Sequence, residues 1–321
     1  VFLVVLLVLV GCGHLEPIND RGRTWSTVIA HPETTPLGKQ IRRILKQQPA
    51  GHSGFLLLDR GEEALLWRGM LVDRATRSID AQYFIWYRDK VGTIAAERLL
   101  KAADRGVRVR VIVDELTLDA DPRHLALLND HPRVEIRLYN PIGALHGDSA
   151  NPLAAILRSL GDIRRTNRRM HNKALIVDGS VAIVGGRNIA DEYYDLSTEF
   201  NFRDRDLLAV GPIVPRVSSS FDEYWNSPWV VPLESVLDIQ VTPQERDRYY
   251  RALHTYASDA RNLPPRFAAG LADVGSHFDK LKATGLYLGP ARLVYDHPGK
   301  NTDVERLDAF GESGRALTEL A

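Results

Sequence analysis

Apolar and polar positions change period several times along this chain, and each change marks an element. "GFLLLDRGEEALLWRGMLVDRATRSI" (54–79) predicts a short strand or loop and then an amphipathic helix, with Leu65, Leu66, Met70, Leu71 and Val72 on or near its inner face. "IDAQYFIW" (79–86) is short and β-rich, the mark of a buried strand. "GTIAAERLLKAADRG" (92–106) returns to the helical period and stops at Gly106. "VRVRVIVDE" (107–115) alternates at period two and then turns wholly apolar, as a strand does on entering a sheet covered by helices. "HLALLNDH" (124–131) predicts a further helix and "RVEIRLYNP" (133–141) a third strand.

The second half continues the pattern. "KALIVDGSVAIVG" (173–185) has two β-branched runs separated by Asp178-Gly179, a pair that favours a tight two-residue hairpin. "RDRDLLAVGP" (203–212) reads as another strand, and "VPRVSSSFDEYWNSP" (214–228) as a helix broken at Pro228. From Pro232 the composition is loop-like and helical with a break at "NLPPRF", and "ARLVYDHPGKN" (291–301) reads as a final short strand. Strands alternating with helices place the chain in the α/β class, with a largely parallel or mixed β-sheet and helices outside.

Composition excludes less than it suggests. The 321 residues are 44% hydrophobic, enough for one large core or two ordinary ones. Lys+Arg and Asp+Glu both number 41, a balance that argues against nucleic acid as a bulk electrostatic partner but leaves room for a local basic pocket. The N-terminus, "VFLVVLLVLVGCGHLEP", has ten apolar residues before Gly11 and Cys12. That run is too short to span a bilayer as a helix and fits the apolar core of a secretory signal. Leu9-Val10-Gly11-Cys12 resembles a bacterial lipobox, whose cysteine becomes the lipidated first residue of the mature protein. An ordinary signal peptide, or a buried strand with an incidental cysteine, are the alternatives. No Met and no basic segment precede Val1, so the signal is expected to be incomplete. The polar stretch from Gly13 to Leu37 reads as a tether.

The candidate chemistry lies in "MHNKALIVDGSVAIVGGRN" (170–188). On a strand, period two puts His171 and Lys173 on one face. An imidazole beside an ammonium suits a phosphate: lysine supplies fixed charge, and a neutral histidine nitrogen attacks phosphorus or holds a proton. Gly185-Gly186 offers backbone without side chains where a phosphate can approach closely. Asn188 either donates its amide to the same oxygens or caps the helical "IADEYYD" that follows. Each feature alone is ordinary; the full spacing is not.

That spacing, His171-x-Lys173-x4-Asp178-x6-Gly185-Gly186-x-Asn188, resembles the HKD motif of the phospholipase D superfamily. The text "SIDAQYFIW", "GVRVRVIVDE", "NRRMHNKALIVDG", "VGGRNIADEYYD" and "SFDEYWNS" is similar to the cardiolipin synthase C-type branch. The resemblance implies a phospholipase D-like lobe, with a mixed β-sheet flanked by helices on both faces, and a two-step displacement through a phosphohistidine, without cofactor or metal. His171 would be the nucleophile, with Lys173, Gly185, Gly186 and Asn188 around the phosphate. Asp178 would brace the hairpin. Asp204 stands where the family's histidine-orienting acid is expected, with Asp206 and then Glu199 as further choices. Gly186 replaces a serine common in the family. The implied partners are phosphatidylglycerol, a second phospholipid such as phosphatidylethanolamine, and a membrane reached through lipidated Cys12 in the bacterial cell envelope, facing the periplasm or exterior.

The family's site needs two such motifs, and of ten histidines here only His171 is followed at the second position by lysine. The missing half is expected from a second lobe absent from this chain, or from a homodimer partner. The implied organisation is an incomplete signal peptide at 1–11, the lipidated cysteine and tether at 12–37, the lobe at 38–231, and at 232–321 a connector leading to a second lobe. A phosphodiesterase hydrolase of phospholipase or nuclease type, and a non-catalytic phosphate-binding lobe, are the alternative functions.

Overall fold

The computed structural model describes residues 22–141, 169–273, 278 and 285–299. The expected signal segment, Cys12 and the last part of the expected connector lie outside the described residues.

Among the described residues one mixed sheet is built from β1 (Ser53–Leu58), β2 (Ser78–Tyr83), β4 (Arg108–Asp114), β6 (Val134–Tyr139), β7 (Ala174–Val177), β8 (Val181–Gly185), β9 (Asp206–Val210), β10 (Val230–Pro232) and β11 (Tyr287–Gly289). Their order across the sheet is β10-β6-β4-β2-β7-β8-β9-β1-β11. β2, β4 and β6 run parallel, and every other pairing is antiparallel. β3 (Trp86–Tyr87) and β5 (Leu118–Asp119) form a small parallel pair of their own. The helices are α1 (Pro36–Leu45), α2 (Gly61–Arg74), α3 (Lys90–Asp104), α4 (Pro122–Asn129), α5 (Val214–Trp225), α6 (Pro243–Ser258) and α7 (Pro265–Ala272). The mixed α/β class expected from the sequence is the class observed.

Period two separates two cores. Val109, Val111 and Val113 of β4 face the larger cluster under α2 and α3, while Ile112 faces the smaller one under α5. Arg110 also points to the α5 side and ties that helix to the sheet. Its Nε donates to Asp80 at 2.7 Å, its Nη2 to Asp222 on α5 at 2.8 Å, and its guanidinium lies 4.8 Å from the Phe221 ring. Helix starts follow their caps: Asp89 accepts from the Gly92 amide for α3, Asp121 from Arg123 for α4, and Thr242 with Glu245 forms a capping box for α6.

Several expectations are corrected. α2 is buried all round, Trp67, Arg68 and Gly69 included, because α7 covers its outer side. Gly69 makes this possible, since a β-carbon there would lie 2.8 Å from the Phe267 ring. The hairpin loop holds three residues between the paired Val177 and Val181, with Asp178 and Gly179 at φ 50° and 56°. The strand expected at 291–301 is not formed in its described part. Tyr287–Gly289 pairs with β1 instead, and Tyr295 and His297 are held by side-chain bonds to Glu223 of α5. The tether expected up to Leu37 is bound from residue 22 onward: the Val28 amide donates to Asp222, Arg23 to the Ser227 carbonyl, and Pro36 already starts α1. β10 pairs with β6, α6 packs on α3 and α4, and α7 packs on α2, so the described residues after 232 lie against the lobe.

Candidate active site

Register brings the candidate chemistry to one rim of the sheet. The C-terminal ends of β2, β4, β6, β8 and β1 meet the N-terminal ends of β7 and β9 there. His171 and Lys173 enter β7, the Gly185–Asn188 segment leaves β8, Asp204 and Asp206 enter β9, and Phe84 leaves β2. In open α/β sheets, loops at strand ends carry the ligand site because backbone there is released from the ladder.

His171 and Lys173 lie just before β7, not on it, yet they converge as the period-two reading expected. Phe84 is the reason. The His171 imidazole lies 4.4 Å from the Phe84 ring centroid, and the Lys173 ammonium lies 5.3 Å from it. Lys173 also donates to the His171 carbonyl at 2.6 Å. The imidazole is exposed, and the segment that presents it is anchored behind. Asp114, fully buried at the end of β4, accepts from Arg169 at 2.8 Å and from the Met170 amide at 3.2 Å. Arg169 also reaches the Asn140 carbonyl at the end of β6.

Phe84 is itself held from two sides. Thr117 donates to its carbonyl, and the next amide, Ile85, donates to Asn188 Oδ1 at 3.0 Å. This bond diverts the chain from the sheet after Tyr83, which is why the strand expected over 79–86 stops early. Asn188 is buried, and its amide faces the Tyr193 hydroxyl. It is not a helix cap, because Ala190 holds that place before the short 3-10 turn at Asp191–Tyr193. It acts on the site through Phe84's loop.

The glycine pair makes room for carboxylates. A β-carbon on Gly185 would overlap Asp206, and one on Gly186 would lie 2.8 Å from the Asp204 carboxyl carbon and closer to its oxygen. Asp206 at the start of β9 and Asp204 just before it thus lie against the backbone of this pair. The three candidate acids separate. Asp206 is fully buried and committed to two guanidinium groups, Arg68 at 3.0 Å and Arg187 at 3.3 Å, as well as the Arg187 amide. Glu199 is exposed on the loop before β9. Asp204 is half-buried at the rim against Gly186.

Residues 70–225, which hold the whole motif, match the family model described as "Cardiolipin synthase, PLD-like domain". The chain carries a phospholipase D-like domain. It is 40% identical to cardiolipin synthase C of Escherichia coli over 206 residues, 63% of this chain and 41% of that protein. It is 33% identical to an uncharacterised protein of Helicobacter pylori over 300 residues, 94% of this chain and 58% of that protein. The chain thus spans about half the length of the curated relatives it matches. The solved structure of NucT from Helicobacter pylori overlaps it loosely, with a TM-score of 0.39 and 15% identity over 56% of this chain and 98% of that one.

Within the phospholipase D-like domain, Asp178 sits at the opposite end of β7 from the rim. Its buried carboxylate accepts from the backbone amides of Thr76, Arg77 and Ser78 and from the Thr76 hydroxyl, at 2.8 to 3.2 Å. It locks the α2–β2 turn to the hairpin, a bracing role beyond the hairpin itself. Asp178→Ala is expected to lower unfolding free energy by about 2–3 kcal/mol, because three backbone amides lose an ionised acceptor. Urea denaturation should show a lower midpoint with an unchanged slope; a midpoint at the wild-type value would refute the role.

Asp89, beside the rim, is held up to about 6 by burial first and then by the adjacent Asp191 carboxylate, against the opposing pull of the Gly92 and Asp191 amides. The folded state therefore binds a proton more tightly than the unfolded chain. Stability from this group is full below the ordinary carboxylate value of 3.8 and is lost as pH rises to about 6. With its partial exposure allowed for, that loss is about 1 kcal/mol. Thermal unfolding at pH 4 and pH 7 should show it, and Asp89→Asn should flatten it; an equal pH slope in the variant would assign the effect elsewhere.

Asp114, Arg169, Arg68 and Arg187 are the residues that sequence reasoning did not assign. The quoted stretches contain all four, but nothing in their spacing says which side chain faces inward at a strand end. Of the aromatics near the rim, Tyr83, Tyr193 and Tyr194 are buried in the core, while Phe84 and Trp86 are half-buried.

Proposed function

We propose that this domain supplies one half of a phosphatidyltransferase site of cardiolipin synthase type. The observation that carries the reading is the exposed His171 imidazole set beside the Lys173 ammonium on a single aromatic ring at the sheet rim. A histidine nitrogen of His171 attacks the phosphorus of a phospholipid, an N–P bond forms, and the P–O bond to the head-group alcohol breaks. The hydroxyl of phosphatidylglycerol then attacks the phosphohistidine, the N–P bond breaks, and cardiolipin is released. Lys173 balances charge on the phosphoryl oxygens. Asp204 is the acid assigned to hold the second nitrogen of His171, since Asp206 is committed to two arginines. The proton for the leaving alcohol comes from a second motif histidine, in further chain or in a second copy of this one. Lipidated Cys12 would keep the site at a membrane of the bacterial envelope.

The test incubates the full-length gene product, and the 321-residue form beside it, with vesicles of phosphatidylglycerol and phosphatidylethanolamine, with and without EDTA. Cardiolipin is followed by mass spectrometry. Cardiolipin formed equally with EDTA supports the transferase. Phosphatidic acid without cardiolipin replaces it with a hydrolase, and no turnover by either form leaves a phosphate-binding lobe. Cardiolipin from the short form alone would place the second histidine in a second copy.

A further inference from the structure

Between α3, α4 and α6 a half-open pocket of about 170 Å³ cuts into the larger core. Leu99, Val113, Leu125, Ile136 and Leu253 line it, together with Trp86 and Leu118. Its walls are mainly apolar and give water few partners. Apolar cavities of about 150 Å³ take up benzene, so this one has room for about six carbon atoms.

Its place gives it meaning. Phe84, which touches both His171 and Lys173, leads directly into Trp86-Tyr87, and these pair with Leu118-Asp119 as the small sheet in the cavity wall. Thr117, bonded to the Phe84 carbonyl, precedes Leu118. The polar groups Arg88, Asp121 and His124 line the cavity too, next to Tyr249. Phe84, which carries the His171 and Lys173 contacts, therefore stands two positions along the chain from Trp86 in the wall of the apolar pocket.

We propose that this cavity takes one acyl chain of the phospholipid whose phosphate lies at His171 and Lys173. The proposal rests on the phosphate reading above and adds a subsite that fixes the lipid's chain. Each methylene drawn into the cavity should tighten binding about fourfold, until about six carbons are inside and the gain stops.

The probe is a series of ω-bromoalkyl phosphates of increasing length, held below their micelle concentrations, with tryptophan quenching as the readout. Bromine quenches on contact, so Trp86 should be quenched only by members long enough to reach the cavity, and Trp86→Phe should remove that component. Ala96→Phe fills the space from α3 and should weaken the long members at least tenfold while leaving methyl phosphate unchanged. Thr93→Phe does the same from a half-buried position, should Ala96→Phe fail to fold. Quenching independent of Trp86, or a chain-length gain untouched by both filling variants, overturns the subsite. If methyl phosphate still shifts the His171 imidazole resonances in that case, the phosphate reading survives alone. If ω-bromoalkanols bind as tightly as the phosphates and Lys173→Ala changes nothing, the cavity holds alkyl chains but the phosphate reading, and with it this assignment, falls.

Discussion

On the phosphatidyltransferase proposal, His171→Ala should lower cardiolipin formation by at least about 10³-fold while moving unfolding free energy by less than about 0.5 kcal/mol. The two halves of this expectation come from different facts. Removing a nucleophile removes the covalent route altogether, and the remaining lysine charge cannot replace it. The stability half comes from exposure: the imidazole lies on the rim with the Phe84 ring on one side, and Lys173 bonds to the His171 carbonyl, which alanine keeps. Initial rates and urea unfolding on the same preparation of the full-length product check both halves. Turnover within tenfold of the wild type would remove His171 from the nucleophile's role. A parallel loss of stability would make the loss of activity uninformative, and His171→Gln, which keeps the contact with Phe84, would then separate the two.

Asp206→Ala should act oppositely, with a loss of about 3–5 kcal/mol in stability. Its carboxylate neutralises Arg68 and Arg187, both buried, and without it two guanidinium groups remain in the core with no carboxylate between them. Tyr83, Ala64, Leu58 and Tyr193 still accept hydrogen bonds from these arginines, but they carry no opposing charge. Activity would fall as a consequence, since Arg187 lies between the glycine pair and Asn188. Denaturant titration of Asp206→Ala, Arg68→Met and the double variant gives the coupling. The double variant should be much less destabilised than the sum of the two, because the second change removes a stranded charge. Additive losses would show that Asp206 contributes through packing alone.

What could be read in the chain itself was whatever depends on period and on residue type at fixed spacing. The α/β class followed from alternation in "VRVRVIVDE" and helical spacing in "GTIAAERLLKAADRG", since both record local geometry facing a core. The motif from His171 to Asn188 was legible for the same reason: it spans one hairpin, so the His171–Lys173 and Gly185–Asn188 segments come to one end of it wherever the hairpin sits. Asp178 could be read as a brace, although not that its partners are Thr76, Arg77 and Ser78.

What the tertiary structure decided were contacts between segments far apart in sequence. Phe84 meets His171 only because β2 and β7 pair side by side, and the cavity beside them exists only because α6 returns over α3 and α4. Asp204 and Asp206 look alike in "RDRD", yet register sends one to the rim and the other between two buried arginines. The stretch from residue 22 to 35 has the composition of a tether, but its Val28 amide bonds to Asp222 of α5 and its Arg23 side chain to the Ser227 carbonyl just beyond that helix. Composition and spacing carry local geometry, whereas burial and charge pairing are settled by which strands and helices become neighbours, and no short window of sequence contains that information.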